Sequence, residues 1–221
     1  NMESLYPIKK KTLYREEIKE ALRNAIFDGK LKPGDRIIET RWAKELGVSQ
    51  SPVREAIREL EIIGLVENVP YQGSFVRKIT EKDLKDSYLV RMALEQLGAE
   101  QACSKINEEQ LKEIKECLDI MESAADTKDF NTYIKYDVQF HDKIMQVSDN
   151  DLLKRLWQQC NIREWTHYGT QFSNYTLEML ARRHEKIYQA LVDRDSAAVI
   201  RETRLHIQEL LEELEQRTNG Q

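Results

Sequence analysis

Apolar residues recur at helical spacing along most of the chain. In TLYREEIKEALRNAIFD, residues 12–28, Leu13, Ile18, Leu22, Ala25 and Ile26 share one face, which predicts a first helix. Gly29 follows as its C-cap, because a residue without Cβ enters the left-handed region at no steric cost. Pro33-Gly34 marks a turn in LKPGDRI. A short second helix is expected over 40–46 with Trp42, Ala43 and Leu46 inward. A third is expected over 50–63 with the stripe Val53, Ile57, Leu60 and Ile63. Gly47 breaks the chain between them, Ser49 or Ser51 serves as N-cap, and Pro52 is tolerated in the first turn. LVENVPYQGSFV then reads as strand, turn, strand. Val66 and Phe75–Val76 are the strand material, and Tyr71-Gln72-Gly73 the turn.

Beyond Thr80 the pattern is helical throughout. Six or seven helices are predicted, over 81–104, 108–125, 130–147, 150–168 with room for a kink, 175–193 and 196–217. Thr80 caps the first, Asn107 with Gln110 forms a capping box for the second, and Asp129 and Asn150 open the next two. All four prolines lie within the first 70 residues, and neither Gly nor Pro occurs between Gly98 and Gly169. Short elements and tight turns therefore precede long helices. The boundary falls in RKITEKD, residues 77–83. The expected fold is mainly α: a winged helix-turn-helix over 1–79, then an all-α antiparallel bundle over 80–221.

Composition narrows the function classes. The chain has 221 residues, 40% hydrophobic and 33% charged, enough apolar material for a core and against global disorder. No apolar run approaches the roughly 18 residues of a membrane span. NMESLYPIKKK is basic but lacks the apolar stretch of a signal peptide, and Asn1 before Met2 reads as an expression scar. Three widely spaced cysteines, Cys103, Cys117 and Cys160, form neither a disulfide framework nor a thiolate knuckle, so a cytoplasmic setting is expected. The net charge of −5 hides an asymmetry: residues 1–79 carry +3 and the remainder −8. A basic module on an acidic protein suits a polyanion partner.

A winged helix-turn-helix places its third helix in a major groove, with the wing reaching toward the minor groove. Gln50, Ser51, Arg54 and Arg58 form the polar face of that helix. The alternative is a winged helix used for protein contacts, with both arginines solvated. The segment GKLKPGDRIIETRWAKELGVSQSPVREAIRELEIIGLVENVPYQGSFV carries Pro33-Gly34, Leu46-Gly47-Val48-Ser49, Pro52-Val53-Arg54-Glu55-Ala56, Gly64-Leu65-Val66 and Gly73. It resembles the DNA-binding domain of GntR-family bacterial transcription regulators. The resemblance implies double-stranded operator DNA as partner and contacts from Arg41, Ser49, Gln50, Ser51, Arg54, Arg58 and Gly73. The family often has Arg where this chain has Gln50 and Thr40; Arg41 stands one residue along. DNA binding carries over, and the operator sequence does not.

In the C-terminal half the histidines fall on apolar stripes. Phe130, Tyr133–Ile134, Asp137, Phe140–His141 and Ile144 make one; Leu177, Leu180, His184, Ile187–Tyr188 and Leu191 a second; Val199, Thr203, His206, Leu210 and Leu214 a third. A buried carboxylate needs a cation or takes a proton. Three imidazoles and one carboxylate suit a divalent transition metal, Zn²⁺ first, Ni²⁺ or Mn²⁺ next. A metal-free Asp–His cluster fits the same pattern. Asp-x-x-x-His followed by two later histidines, behind a GntR winged helix, resembles the FadR-type ligand-binding (FCD) domain. That resemblance implies metal ligation by Asp137, His141, His184 and His206, with a small carboxylate effector at the open positions. Arg91, on the stripe Leu84, Tyr88, Arg91, Glu95, either pairs with Glu95 or clamps an effector carboxylate. His167 is expected at the surface or a pocket rim, and Trp157, Trp165 and Cys160 in packing.

The expected function is a ligand-responsive transcriptional regulator, a repressor, acting as a homodimer on a palindromic operator and not as an enzyme. One rival is a metal-dependent enzyme acting on a small carboxylate, with an appended DNA-binding domain. Against it, His184-Glu185 does not extend to HExxH, since position 188 is Tyr. Another rival keeps the regulator and makes the metal purely structural.

Overall fold

The computed structural model describes the backbone from residue 8 to 219 and side chains from 15 to 217. The readings of Asn1, of the leading basic stretch and of the Leu13 side chain lie outside the described residues. The chain divides into two compact units, with the break between Thr80 and Glu81.

The N-terminal unit holds α1 (Ile8–Phe27), β1 (Arg36–Ile37), α2 (Glu39–Leu46), α3 (Gln50–Ile63), β2 (Val66–Val69) and β3 (Gly73–Val76). α1 packs on α3, burying Ile18, Leu22, Ala25 and Ile26 on one side and Val53, Ala56, Ile57 and Leu60 on the other. Gly47 closes α2 at φ +66°, its N–H bonding to Ala43 and Lys44 carbonyls. That left-handed turn fits a residue without Cβ and sets α3 off in its new direction. Ser49 stands at the N-cap of α3 in extended conformation, but its side chain makes no capping hydrogen bond. Leu46, expected inward, is 37% exposed; as the last residue of α2 it lies where the helix stops and turns away from the core.

The wing has three strands in the order β1-β3-β2, all antiparallel, with Arg36 opposite Phe75 and Val66 opposite Val76. β1 falls in the segment read as a turn alone. It is two residues long, with Ile37 buried. Pairing to β3, nearly forty residues on, creates this strand, and no local periodicity announces it.

The C-terminal unit is helical: α4 (Glu81–Cys103), α5 (Glu108–Asp126), α6 (Phe130–Val147), α7 (Asp151–Gln159), α8 (Ile162–Phe172), α9 (Leu177–Arg182), α10 (Glu185–Val192) and α11 (Ser196–Asn219). Asn107 and Gln110 cap α5 reciprocally, at 2.8 and 3.0 Å. Asp129 accepts from Thr132 to cap α6. Two expected helices are each divided. Residues 150–168 break at Cys160–Asn161, where Asn161 takes φ +50°, a conformation Asn adopts more readily than most residues. Residues 175–193 break at Arg183–His184 between α9 and α10.

α4 packs along α11 and α5 along α6, and α4 also crosses α6. Gly98 permits that crossing: a Cβ there would sit 2.3 Å from Met145 Sδ. The core includes Ala102, Ile114, Leu118, Met121, Tyr133, Phe140, Leu191 and Val199. No helix among the described residues is long and apolar enough to cross a membrane.

Candidate functional site

The stripes of α6 and α11 bring His141 and His206 inward, and the break between α9 and α10 delivers His184 to the same place. All three rings are buried. Their centroids lie 5.3 Å (His141–His184), 5.2 Å (His141–His206) and 4.3 Å (His184–His206) apart. Each offers a nitrogen, and the three nitrogens lie within 4.8 Å of one another, a set one ion can share. Asp137, one turn before His141, joins them. Its Oδ2 is 3.4 Å from His184 Nε2 and its Oδ1 3.9 Å from His141 Nε2. Tyr133 donates its hydroxyl to Asp137 Oδ2 at 3.2 Å.

The outer partners decide which nitrogens carry protons. His184 Nδ1 lies 3.0 and 3.1 Å from the carbonyls of Leu180 and Ala181. A carbonyl only accepts, so Nδ1 holds the hydrogen and the ring's other nitrogen is a lone pair. That lone pair faces the Asp137 carboxylate. Two electron-rich groups face each other across 3.4 Å, and the contact needs a positive charge between them, a proton or a metal ion. His141 Nε2, His184 Nε2 and His206 Nδ1 are buried without a hydrogen-bond partner. A buried polar atom left so costs about 1–3 kcal/mol. The donor set therefore fits a transition metal.

Burial pushes the Asp137 carboxyl up, but the His184 ring, then His141 and Arg91, outweigh it and hold the carboxyl at about 2. Burial, with His184 and Arg183 beside it, drives His206 well below the ordinary imidazole range. His206 is neutral near pH 7, with a lone pair to give.

Above the cluster is a cavity of about 30 Å³, lined by Tyr88, Arg91, Asp137, Thr166, Arg183, His184 and His206 among others. Arg183 donates Nε to Glu209 at 2.7 Å and bonds the His206 carbonyl. Gly169 gives the Tyr88 hydroxyl its place, since a Cβ there would lie 2.0 Å from that oxygen.

Arg91 pairs with Glu95 as one of its two readings has it, Nε to Oε1 at 3.0 Å, and it also lines the cavity. The pair is buried, with 4% and 3% of the two side chains exposed; the weak surface bridge expected from i,i+4 spacing is a desolvated one. One reading is corrected. His167 is buried on α8, edge-on to Phe130, because α8 turns it toward α6. Trp157 packs with Met145, Leu153 and Ile162, and its indole N–H also donates to Glu95 Oε1 at 2.9 Å. Glu95 is the buried polar residue that sequence reasoning undervalued. The signal was available: a carboxylate on an apolar stripe needs donors, and a buried indole N–H needs an acceptor. Cys160 and Trp165 are half-buried, Trp165 lying 6.4 Å from the Tyr168 ring.

On the N-terminal unit, Ser49, Gln50, Ser51, Arg54 and Arg58 are exposed at and near the start of α3. Arg54 is held by Glu39 of α2, with Nε 3.0 Å from Oε2 and the adjacent terminal nitrogen 2.9 Å from the same oxygen. Arg41 pairs with Glu45 at 2.9 Å. Gly73 adopts φ +108° at the start of β3, and a Cβ there would meet the Arg36 guanidinium at 3.3 Å.

Comparison with known proteins joins the two halves. Residues 14–76 match the model for bacterial regulatory proteins of the gntR family, and residues 86–209 match the FCD domain. The chain is 33% identical to an uncharacterized HTH-type transcriptional regulator, YdhC of Bacillus subtilis, over 87% of each chain. It is 30% identical to the HTH-type transcriptional repressor RspR of Escherichia coli, over 91% of this chain and 89% of that one. The solved structure of E. coli McbR/YncC shares the fold, with a TM-score of 0.75 at 24% identity over 93% of this chain and 98% of that one. Both of these sequence relatives are HTH-type transcriptional regulators. A winged helix with an arginine-bearing third helix, followed by a helical bundle around a buried histidine triad, thus places the chain in the GntR family of bacterial transcription regulators, among those with an FCD domain.

Proposed function

We propose that the protein is a repressor that binds a palindromic operator as a homodimer and responds to a small organic acid held in the helical domain. The observation that carries this reading is the set of three orphaned imidazole nitrogens beside Asp137, under a cavity walled by Arg91. Asp137, His141, His184 and His206 would hold one divalent metal, Zn²⁺ before Ni²⁺ or Mn²⁺. When bound, such an ion supplies positive charge and open positions for a carboxylate oxygen. Arg91 supports the anion from the cavity wall, steadied by Thr166 Oγ1 at 3.4 Å from its terminal nitrogen.

DNA contact is assigned to Arg54 and Arg58, with Gln50, Ser49, Ser51, Arg41 and the wing at Gly73. Arg54 offers Glu39 one edge of its guanidinium and keeps the other for guanine or phosphate. Two recognition helices on a two-fold operator call for a two-fold protein. Leu89, Val90 and Leu97 of α4 and Leu152 and Leu156 of α7 are exposed on helices that pack together. Such an apolar surface supports self-association.

The test is operator binding by the zinc-loaded protein, followed by fluorescence anisotropy during titration with short mono- and dicarboxylates. A saturable change in DNA affinity that His184→Ala abolishes supports the reading. Equal DNA affinity at every acid concentration, or turnover of an acid, contradicts it.

A further inference from the structure

Three nitrogens from three helices surround the Glu95 carboxylate. Its Oε1 accepts Arg91 Nε at 3.0 Å and Trp157 Nε1 at 2.9 Å, while its Oε2 lies 3.1 Å from His141 Nδ1. Glu95 is 2% exposed, so water does not compete for these contacts. Oε2 is buried with no hydrogen-bond partner of its own, and a carboxylate acts only as an acceptor. His141 Nδ1 must then carry the proton, which leaves the lone pair on Nε2, the nitrogen facing Asp137 and the other two histidines.

We infer that Glu95 is a positioning residue for metal capture: it holds His141 in the one tautomer that can ligate, and Arg91 and Trp157 hold Glu95. The inference rests on the metal-binding reading of the cluster. A carboxylate behind a ligating imidazole fixes ring orientation and raises its basicity, and losing such a partner typically weakens metal binding about 10–100-fold. Here the same carboxylate also ties α4 to α7 through Trp157, which keeps the oxygen on His141 from swinging away.

The discriminating variant is Glu95→Gln. A glutamine of the same shape keeps its single carbonyl oxygen on the two donors Arg91 and Trp157. Its amide then faces His141 Nδ1 and donates to it, which moves the ring proton to Nε2 and blocks the ligating atom. Trp157→Phe is the structural control: it removes one hydrogen bond to Glu95 and leaves the tautomer alone. Two measurements on the full chain follow, both with zinc as the probe ion or with no ion at all. One is the ring-nitrogen NMR pattern of His141 in metal-free protein. The other is zinc affinity by competition with a chromophoric chelator.

The expected result is Nδ1–H in the wild type and in Trp157→Phe, Nε2–H in Glu95→Gln, and an affinity loss of about 10–100-fold in Glu95→Gln well beyond any in Trp157→Phe. Equal losses in the two variants would assign Glu95 a packing role and overturn the inference. Should Glu95→Gln not fold, the wild-type spectrum decides: Nε2–H on His141 overturns the inference whatever zinc does. Nδ1–H with zinc bound by no form of the protein overturns the metal reading, and the ligating purpose with it.

Discussion

Two arginine–glutamate pairs in this chain share their chemistry and differ in where they sit. Arg54–Glu39 lies on the surface of the winged helix, with 52% of the arginine side chain and 32% of the glutamate side chain exposed. Arg91–Glu95 is sealed inside the bundle. Water and salt weaken the first, so it holds the arginine loosely in place. The second has no solvent to fall back on. Burial pushes the Glu95 carboxyl up, and Arg91 and then His141 outweigh it, so the carboxyl stays well below the ordinary range. An ion pair is a movable latch in one unit and a fixed part of the architecture in the other, and the dielectric surroundings make the difference.

The comparison breaks most visibly on removal of one partner. Glu95→Ala leaves Arg91 buried and unpaired and is expected to destabilise the fold by about 3–5 kcal/mol in chemical denaturation. A loss under about 1 kcal/mol would mean that water reaches the pair. Next in size is the ion effect in the same unit. Zinc at about 100 times its dissociation constant is expected to add about 2.7 kcal/mol to the folded state, and the gain should vanish in His184→Ala. On the DNA side, Arg54→Ala should weaken operator binding by about 1–3 kcal/mol at fixed salt while the melting curve stays put. Glu39→Ala is the smallest: an exposed pair contributes about 1 kcal/mol or less, so its unfolding midpoint should hardly move. A large loss there would make Arg54–Glu39 architectural as well. Base preference sharpens the DNA side further. Glutamine pairs with adenine as arginine pairs with guanine, so selection from randomised operators should return adenine opposite Gln50; guanine would remove that contact.

What the sequence made legible follows the physics of each feature. The turn at Gly47, the capping box of Asn107 and Gln110, and the apolar stripes carrying His141, His184 and His206 are local, and local patterns are readable from spacing alone. β1 depends on a partner strand nearly forty residues away, and Ile37 shows no alternation of its own. The division of the fourth and fifth bundle helices turns on single residues, Asn161 and His184, inside stretches whose periodicity runs on almost undisturbed. Glu95 stood on the right face from the start. Its importance comes from Trp157 and His141, which arrive from α7 and α6, and neither spacing nor composition brings those three together. His167 was misplaced for the same reason: the angle of α8 buries it.

The central claim is that the buried triad and Asp137 form a metal centre, and elemental analysis of protein purified without chelator tests it most directly. The measurement is metal content per chain, with thermal melts run before and after EDTA and again after added zinc. The account predicts about one equivalent of a divalent transition metal, a lower melting temperature after EDTA, and recovery with zinc. A metal-free chain whose melting temperature neither zinc nor nickel raises would contradict it, and would return the four residues to a proton-bridged Asp–His cluster.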